Sequence, residues 1–217
     1  MTVRVIQGKV QIGSPPRQPK PRTASTGPRD PIIGRVAERE KYEILSEAVR
    51  WATLAGPLVA VLVPVLGRPH RVAPLLQSFQ AATSPDDARI YFVAQRSDTA
   101  ELEAIHAAKA NVLLVDDIDR SWARKINRGY ETTTEPWLLL GADDLAFRAG
   151  WIQSVRRILM THAGVIGTND LGNASTIRGS SSTHPLVRRL YADVFGTADE
   201  IGKITHEGYD HNFPDSE

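Results

Sequence analysis

Leu58-Val59-Ala60-Val61-Leu62-Val63-Pro64 is the stretch on which the fold turns. Its six apolar residues follow one another without a polar interruption, and three of them are β-branched. A strand with one wetted face alternates apolar and polar residues. A strand covered on both faces, as in a parallel sheet, reads as a continuous apolar run. Pro64 and Gly67-Arg68-Pro69 close the run, because proline lacks an N–H and glycine-proline clusters favour turns.

Working outward, the period changes. Val72, Leu75, Leu76 and Phe79 take the i, i+3, i+4, i+7 positions of a helix. Asp86-Asp87 falls in a turn, and Ile90-Tyr91-Phe92-Val93 reads as a second strand. Asp98 with Glu101 three residues on has the form of a capping box, and Leu102 and Ile105 form the inner face of the helix it opens. Asn111 to Val115 is a third strand. Ser121 caps a helix carrying Trp122, Ile126 and Tyr130, which Pro136 terminates before the strand Trp137-Leu138-Leu139-Leu140. A helix with Trp151, Val155, Ile158 and Leu159 and a short strand Val165-Ile166-Gly167 follow. Residues 168–183, rich in Gly, Ser, Thr and Asn, read as a loop, and Leu186, Val187, Leu190, Tyr191 and Val194 as a last helix.

Four alternations of strand and helix predict an α/β fold: a mostly parallel sheet with right-handed crossovers and helices on both faces. In such sheets ligands bind beyond the carboxyl ends of the strands. One rim therefore gathers Pro64–Arg68, Ala94–Asp98, Asp116-Asp117 and Gly141–Asp144.

This domain spans 57–217. Ahead of it, residues 1–34 hold six Lys/Arg and one acidic residue, and 14–31 hold six of the fourteen prolines. With little to bury, this reads as an extended, mobile, basic arm. Leu45, Ala48, Val49 and Ala52 recur at helical spacing, so 35–56 is read as an amphipathic helical segment.

Bulk features exclude several classes. There is no cysteine, hence no disulfide, thiolate metal site or cysteine nucleophile. A net charge of +1 argues against nucleic acid as the main partner. The longest apolar stretch, Leu58 to Leu66, is too short to span a bilayer, and no apolar secretory region opens the chain. A soluble, cytoplasmic protein is expected. No G-x-G-x-x-G follows any strand, which disfavours dinucleotide oxidoreduction. A nucleotidyltransferase would carry a longer Gly- and Arg-rich loop after its first strand than Gly67-Arg68-Pro69.

Asp143 and Asp144 directly follow a buried strand. Adjacent carboxylates at a low-dielectric sheet edge repel each other, and a divalent cation would relieve the repulsion. Oxygen ligands favour Mg²⁺ or Mn²⁺, which also hold a diphosphate. The plainer alternative is a turn and cap ahead of Trp151. Arg68 stands either as a phosphate or base contact or as a solvated side chain. Lys125 and Arg128, one helical turn apart, either face a diphosphate or form the polar face of their helix. His184, His206 and His211 are candidate ligands that complete a cation site, with His211 placed best by the acids around it.

These residues also carry a resemblance. Trp137-Leu138-Leu139-Leu140-Gly141-Ala142-Asp143-Asp144 resembles the strand and Asp-x-Asp segment of family 2 glycosyltransferases with the GT-A (Rossmann-like) fold. Val61-Leu62-Val63-Pro64-Val65-Leu66-Gly67-Arg68-Pro69 resembles their first strand and donor-binding turn. Trp122-Ala123-Arg124-Lys125-Ile126-Asn127-Arg128-Gly129 resembles the helix before the acidic strand, with its Asn-x-Gly. The similarity covers roughly 57–217 and extends in particular to glycosyltransferase-like proteins of actinobacterial phages, which would place the protein in a host cytoplasm. Two departures stand out: Gly141 occupies the first acidic position, and Ala94-Gln95 replaces the acidic pair after the second strand.

The resemblance implies a metal-dependent, inverting hexosyltransferase that takes a nucleotide-diphosphate sugar as donor and a glycan or protein as acceptor. It implies Asp143, Asp144 and His211 as ligands of Mn²⁺ or Mg²⁺. It implies a donor site of Pro64, Val65, Gly67, Arg68, Lys125 and Asp143, with base recognition by Gln95, Asp98 or Asp117. Asp215-Ser216-Glu217 resembles the acidic motif that supplies the catalytic base, and relatives continue past Glu217, so a C-terminal truncation is expected. The alternative is a glycosyltransferase-like module that binds a nucleotide or sugar without turnover, to which Gly141 and the early end point.

Overall fold

The computed structural model describes residues 56–116, 121–159, 164–169, 171–172, 174–179, 182–197 and 201–207. The arm over 1–34 and the helix over 35–56 therefore lie outside the described residues, apart from Gly56. Six strands form one sheet: Val59–Pro64 (β1), Ala88–Gln95 (β2), Asn111–Val115 (β3), Trp137–Leu140 (β4), Val165–Ile166 (β5) and Leu186–Arg188 (β6). Their order is β3-β2-β1-β4-β6-β5. β1 pairs in parallel with β2 and β4, and β2 with β3, while β6 runs antiparallel to β4 and β5. Helices Val72–Ala82 (α1), Thr99–Ala107 (α2), Trp122–Thr132 (α3), Trp151–Leu159 (α4), Ala174–Ile177 (α5) and Arg189–Phe195 (α6), with a 3-10 helix at Pro69–Arg71 just before α1, complete the described elements.

The β1 run does what its composition requires. Val59, Val61 and Val63 enter a core with Leu75, Leu76 and Phe79 of α1, Ile105 of α2, and Trp151, Ile152 and Val155 of α4. Ala60 and Leu62, pointing the other way, enter a second core with Ile126 and Tyr130 of α3 and Ala192 of α6. Each of Val59 to Val63 is 0% exposed, so neither face of the strand tolerates a polar residue. The architecture is thus a mostly parallel sheet with helices on both faces, as the alternation of strand and helix predicts.

One element departs from the sequence reading. The helix expected from Leu186 begins only at Arg189, and Leu186–Arg188 is an antiparallel strand. Leu186 belongs to the larger core and Val187 to the second, so these neighbours point to opposite sheet faces. A strand does this with its period of two and a helix does not. The loop read over 168–183 contains the short helix α5.

Both expected caps form. The Asp98 carboxylate accepts from the Glu101 N–H at 3.2 Å, and the Ser121 hydroxyl from the Arg124 N–H at 3.2 Å. Because β1 to β4 are parallel, their carboxyl ends meet at one rim. From β1 the chain winds outward to β2 and β3 on one side, and to β4 on the other. The gap between the ends of β1 and β4 is the topological switch point at which sheets of this kind bind ligands.

Candidate functional site

Two residues face each other across that gap. Arg68 leaves the turn after β1, and its guanidinium donates to Asp143 Oδ1 at 3.2 Å. Asp143, two residues past Gly141 at the end of β4, is buried at 8% exposure, whereas Asp144 is exposed. The repulsion argued from sequence for the adjacent pair is therefore largely absent: water solvates Asp144 and Arg68 balances Asp143. Among the described residues, no group of three or more His, Asp or Glu stands where it could hold a metal ion.

Gly141 has a local cause. Its N–H donates to Leu62 O at 2.8 Å, continuing the β1–β4 pairing past Leu140. A Cβ there would stand 2.9 Å from that same carbonyl oxygen. An acid at this position would require the main chain to move, so the strand's approach to β1 excludes one.

The turn carrying Arg68 is fastened from α2. Asp98 Oδ2 accepts the Gly67 N–H at 2.9 Å, and Glu101 Oε2 accepts the Arg68 N–H at 2.8 Å. Glu101 is fully buried, and its Oε1 finds no partner among the described residues. Burial, with added repulsion from Asp98 and Asp143, raises its pKa above the ordinary carboxylate value, opposed by the bond from the Arg68 N–H. The capping box is thus half local. Asp98 caps α2, but the Glu101 side chain turns to another element.

Lys125 lies beneath this turn. It is 1% exposed, and its ammonium donates to the carbonyl oxygen of Val65. Burial lowers its pKa to about 8, while Asp98 and Glu101 act to raise it. In this position it supports the turn from below and does not stand on the open rim. Gln95, at the end of β2, is buried at 6% exposure, Val65 at 2%, and Pro64 is half-buried. Arg128 is exposed and pairs with Glu131 at 3.5 Å on the polar face of α3.

The Asn-x-Gly of α3 has two separate uses. Gly129 lets the helix lie close on β1, since a Cβ would meet Leu62 Cδ2 at 2.7 Å. Asn127, 1% exposed, fastens a later segment: its amide oxygen accepts from the N–H of Ile204 and Thr205 at 3.1 and 3.0 Å, and its amide nitrogen donates to Thr205 O at 2.9 Å and Glu207 Oε1 at 2.8 Å. Thr205 Oγ1 adds a bond to Ala123 O at 2.8 Å, and Lys203 joins Glu131 to Glu207. From Lys203 to Glu207 the chain climbs α3 towards its first turn. There the Trp122 indole reaches Gly141 O at 3.4 Å, and Glu207 comes to 4.0 Å from the Arg124 guanidinium. His184 also comes to the rim, its Nδ1 3.2 Å from Leu140 O.

The structure thus brings Gly67, Arg68, Asp98, Lys125 and Asp143 together around the β1 turn, with Pro64, Val65 and Gln95 on the adjoining strand ends. Asp117, His211, Asp215 and Glu217 lie outside the described residues. Glu101 and Asn127 were not among the candidates. The signals were present, a carboxylate three residues into a rim helix and an Asn-x-Gly, but a local cap and a family likeness each accounted for them without a distant partner.

No family model matches the sequence, and no curated protein matches it. Among solved structures, the fold is similar to a mannosyltransferase from Pyrobaculum calidifontis in complex with GDP-Man and Mn²⁺, at 16% identity and TM-score 0.44, covering 63% of this chain and 45% of that one. It is similar to glucosyl-3-phosphoglycerate synthase from Mycobacterium tuberculosis in complex with Mn²⁺, uridine diphosphate and glucosyl-3-phosphoglycerate, at 13% identity and TM-score 0.49, covering 64% and 59%. A third is TarS of S. aureus, at 14% identity and TM-score 0.40, covering 49% and 34%. The chain spans about half the length of the first two. No helix among the described residues is long and apolar enough to cross a membrane.

Proposed function

We propose that this chain binds a nucleotide-diphosphate sugar at the rim between β1 and β4 and transfers the sugar, a hexose, to a glycan or protein acceptor with inversion. The observation that carries the reading is Arg68 set against the buried Asp143 at the topological switch point. A guanidinium suits a diphosphate, and a carboxylate beside it suits the cation that a diphosphate brings.

Asp143 fits such a cation in a particular way. It offers one buried carboxylate and not a cage, which matches Mg²⁺ or Mn²⁺ held by one or two carboxylates with the remaining positions taken by phosphate and water. Asp144 at the exposed edge and His211 are the further ligands this reading assigns. The cation supplies stabilisation of the charge that grows on the departing nucleoside diphosphate. Arg68 shares that role from the protein side and, in the absence of donor, neutralises Asp143.

Asp98, with both carboxylate oxygens engaged by main-chain N–H groups, orders the donor turn, and Lys125 supports it from beneath. Base recognition then falls to Gln95 or Asp117. The general base is assigned to Asp215, with Glu217 as the alternative. Asp215→Asn is expected to lower transfer by about 10²–10⁴-fold while donor affinity holds, since the base faces the acceptor.

Calorimetric titration of UDP, GDP and their hexose derivatives, with Mn²⁺ and with EDTA, tests the reading. Binding is expected to need Mn²⁺ and to weaken tenfold or more in Asp143→Asn. Equal affinity in EDTA would overturn it. A second reading, a non-catalytic binding module, is favoured by the engagement of Asp143 with Arg68 and by the exposure of the neighbouring Asp144. Labelled donor that binds without turnover in the presence of acceptors would decide for it.

A further inference from the structure

We propose that Glu101 is a positioning residue for the donor site, holding the main chain at Arg68 so that its guanidinium reaches Asp143; this rests on the proposed nucleotide-sugar reading only for what the guanidinium does there. Glu101 is 33 residues from Arg68 in sequence, yet its Oε2 accepts the Arg68 N–H at 2.8 Å. Asp98 takes the neighbouring Gly67 N–H at 2.9 Å, so two consecutive amides of the turn are held by two carboxylates of one helical turn of α2. The helix is itself fixed against them, because Asp98 also caps it.

A residue serving only to cap α2 would leave its carboxylate at the helix end, in water. Glu101 is instead 0% exposed, and its Oε1 is unpartnered among the described residues. Burying a carboxylate with half of its bonding capacity unused is unfavourable by itself. The arrangement persists because the turn is fixed against α2 through it. The turn is also held by its own main chain, Val65 N–H to Val93 O at 3.1 Å, and from α3, where Lys125 donates to the Val65 carbonyl. Held from both sides, Val65 to Arg68 projects a guanidinium that meets the end of β4.

Glu101→Ala and Glu101→Gln separate positioning from mere support, since Gln keeps an acceptor for the Arg68 N–H. Two readouts are taken: hydrogen exchange of residues 65–71, and affinity for UDP and GDP with Mn²⁺, each also in an Arg68→Ala background. In Glu101→Ala the exchange of 65–71 is expected to rise at least tenfold above any change in β4 or α4, and nucleotide affinity to fall about as far as in Arg68→Ala. Glu101→Gln should restore most of both. With Arg68 already removed, Glu101→Ala should cost no further affinity even though it still lowers thermal stability. Unchanged exchange at 65–71, or an affinity loss that adds to that of Arg68→Ala, overturns the proposal. A failure of the nucleotide reading looks different: wild-type protein then binds neither nucleotide, and exchange at 65–71 in the Ala and Gln variants decides the role of Glu101.

Discussion

Lys125 carries a charge into a place where charge is unfavourable, and the consequence is measurable. Its pKa falls from 10.5 to about 8, chiefly through burial. Below about pH 8 both folded and unfolded chains hold the proton, and the full penalty of the buried ammonium is present. Between about 8 and 10.5 the unfolded chain binds more protons than the folded one, so this group's contribution to stability rises with pH. The shift corresponds to about 3 kcal/mol across the window. Urea unfolding of the wild type and Lys125→Met should show wild type gaining on the variant as pH rises through that window, other titrations cancelling in the difference. A gap that stays constant would mean the ammonium is solvated. This residue also marks how far the sequence reads. A lysine beside an arginine on a rim helix looks like a phosphate ligand, and only the path of the β1 turn over it shows that it lies underneath. Gly141 is similar: its sequence shows a missing acid, and the reason, a carbonyl 2.9 Å from where a Cβ would stand, belongs to the strand alongside.

At the scale of elements, α3 and the segment after α6 form a unit in which Asn127 makes the bonds to the main chain of Ile204 and Thr205. Asn127 offers the main chain of Ile204 and Thr205 what a neighbouring strand would offer, two acceptances and one donation. Removing it leaves two N–H groups and a carbonyl in half-buried surroundings, at about 1–3 kcal/mol for each group that water does not reach. Asn127→Ala is expected to lower stability by about 2 kcal/mol, and limited proteolysis should then cut first within 201–207. Cleavage elsewhere at the same rate as wild type would show that the segment is held by other contacts. Elements with a long apolar signature were legible. β1, β4, α1 and α3 each follow from their periods, and both caps follow from Asp98 and Ser121. β6 was not, because Leu186-Val187 is too short to distinguish a strand from the first turn of α6. Its strand state comes from pairing with β4 and β5, which no local pattern carries.

Across the whole molecule, the two ends of the sheet have different tasks. The carboxyl ends of β1 and β4 hold the proposed donor site. At the amino ends, Arg189 uses its whole guanidinium: Nε donates to Glu135 O at 2.9 Å, Nη2 to Thr133 Oγ1 at 2.8 Å, and Nη1 to Tyr130 O, with the Tyr130 ring 4.9 Å away. Tyr130 in turn bonds Asp193 of α6, and Tyr91 of β2 bonds Glu135 at 2.7 Å, so α3, α6, the entry to β4 and the exit from β6 are joined there. The topology predicted from sequence located the rim, but the pairings that define both ends lie 31 to 75 residues apart and are set by packing alone. Lysine in place of arginine separates the two tasks, because one ammonium cannot reproduce a planar fork. Arg189→Lys gives up two of the three bonds in a half-buried setting and is expected to lower stability by about 2–4 kcal/mol, with nucleotide affinity within twofold of wild type. Arg68→Lys acts in the opposite sense. The Arg68 side chain is 47% exposed, and an ion pair of that exposure contributes about 0.2–1 kcal/mol to stability. Its unfolding midpoint should therefore hardly move, while Mn²⁺-dependent binding of UDP or GDP weakens by about tenfold or more through loss of a two-pronged phosphate contact. Chemical unfolding and calorimetric titration on the same two variants check both halves. If Arg189→Lys weakened nucleotide binding as much as Arg68→Lys, the ends of the sheet would be coupled and the donor site would not be confined to the rim.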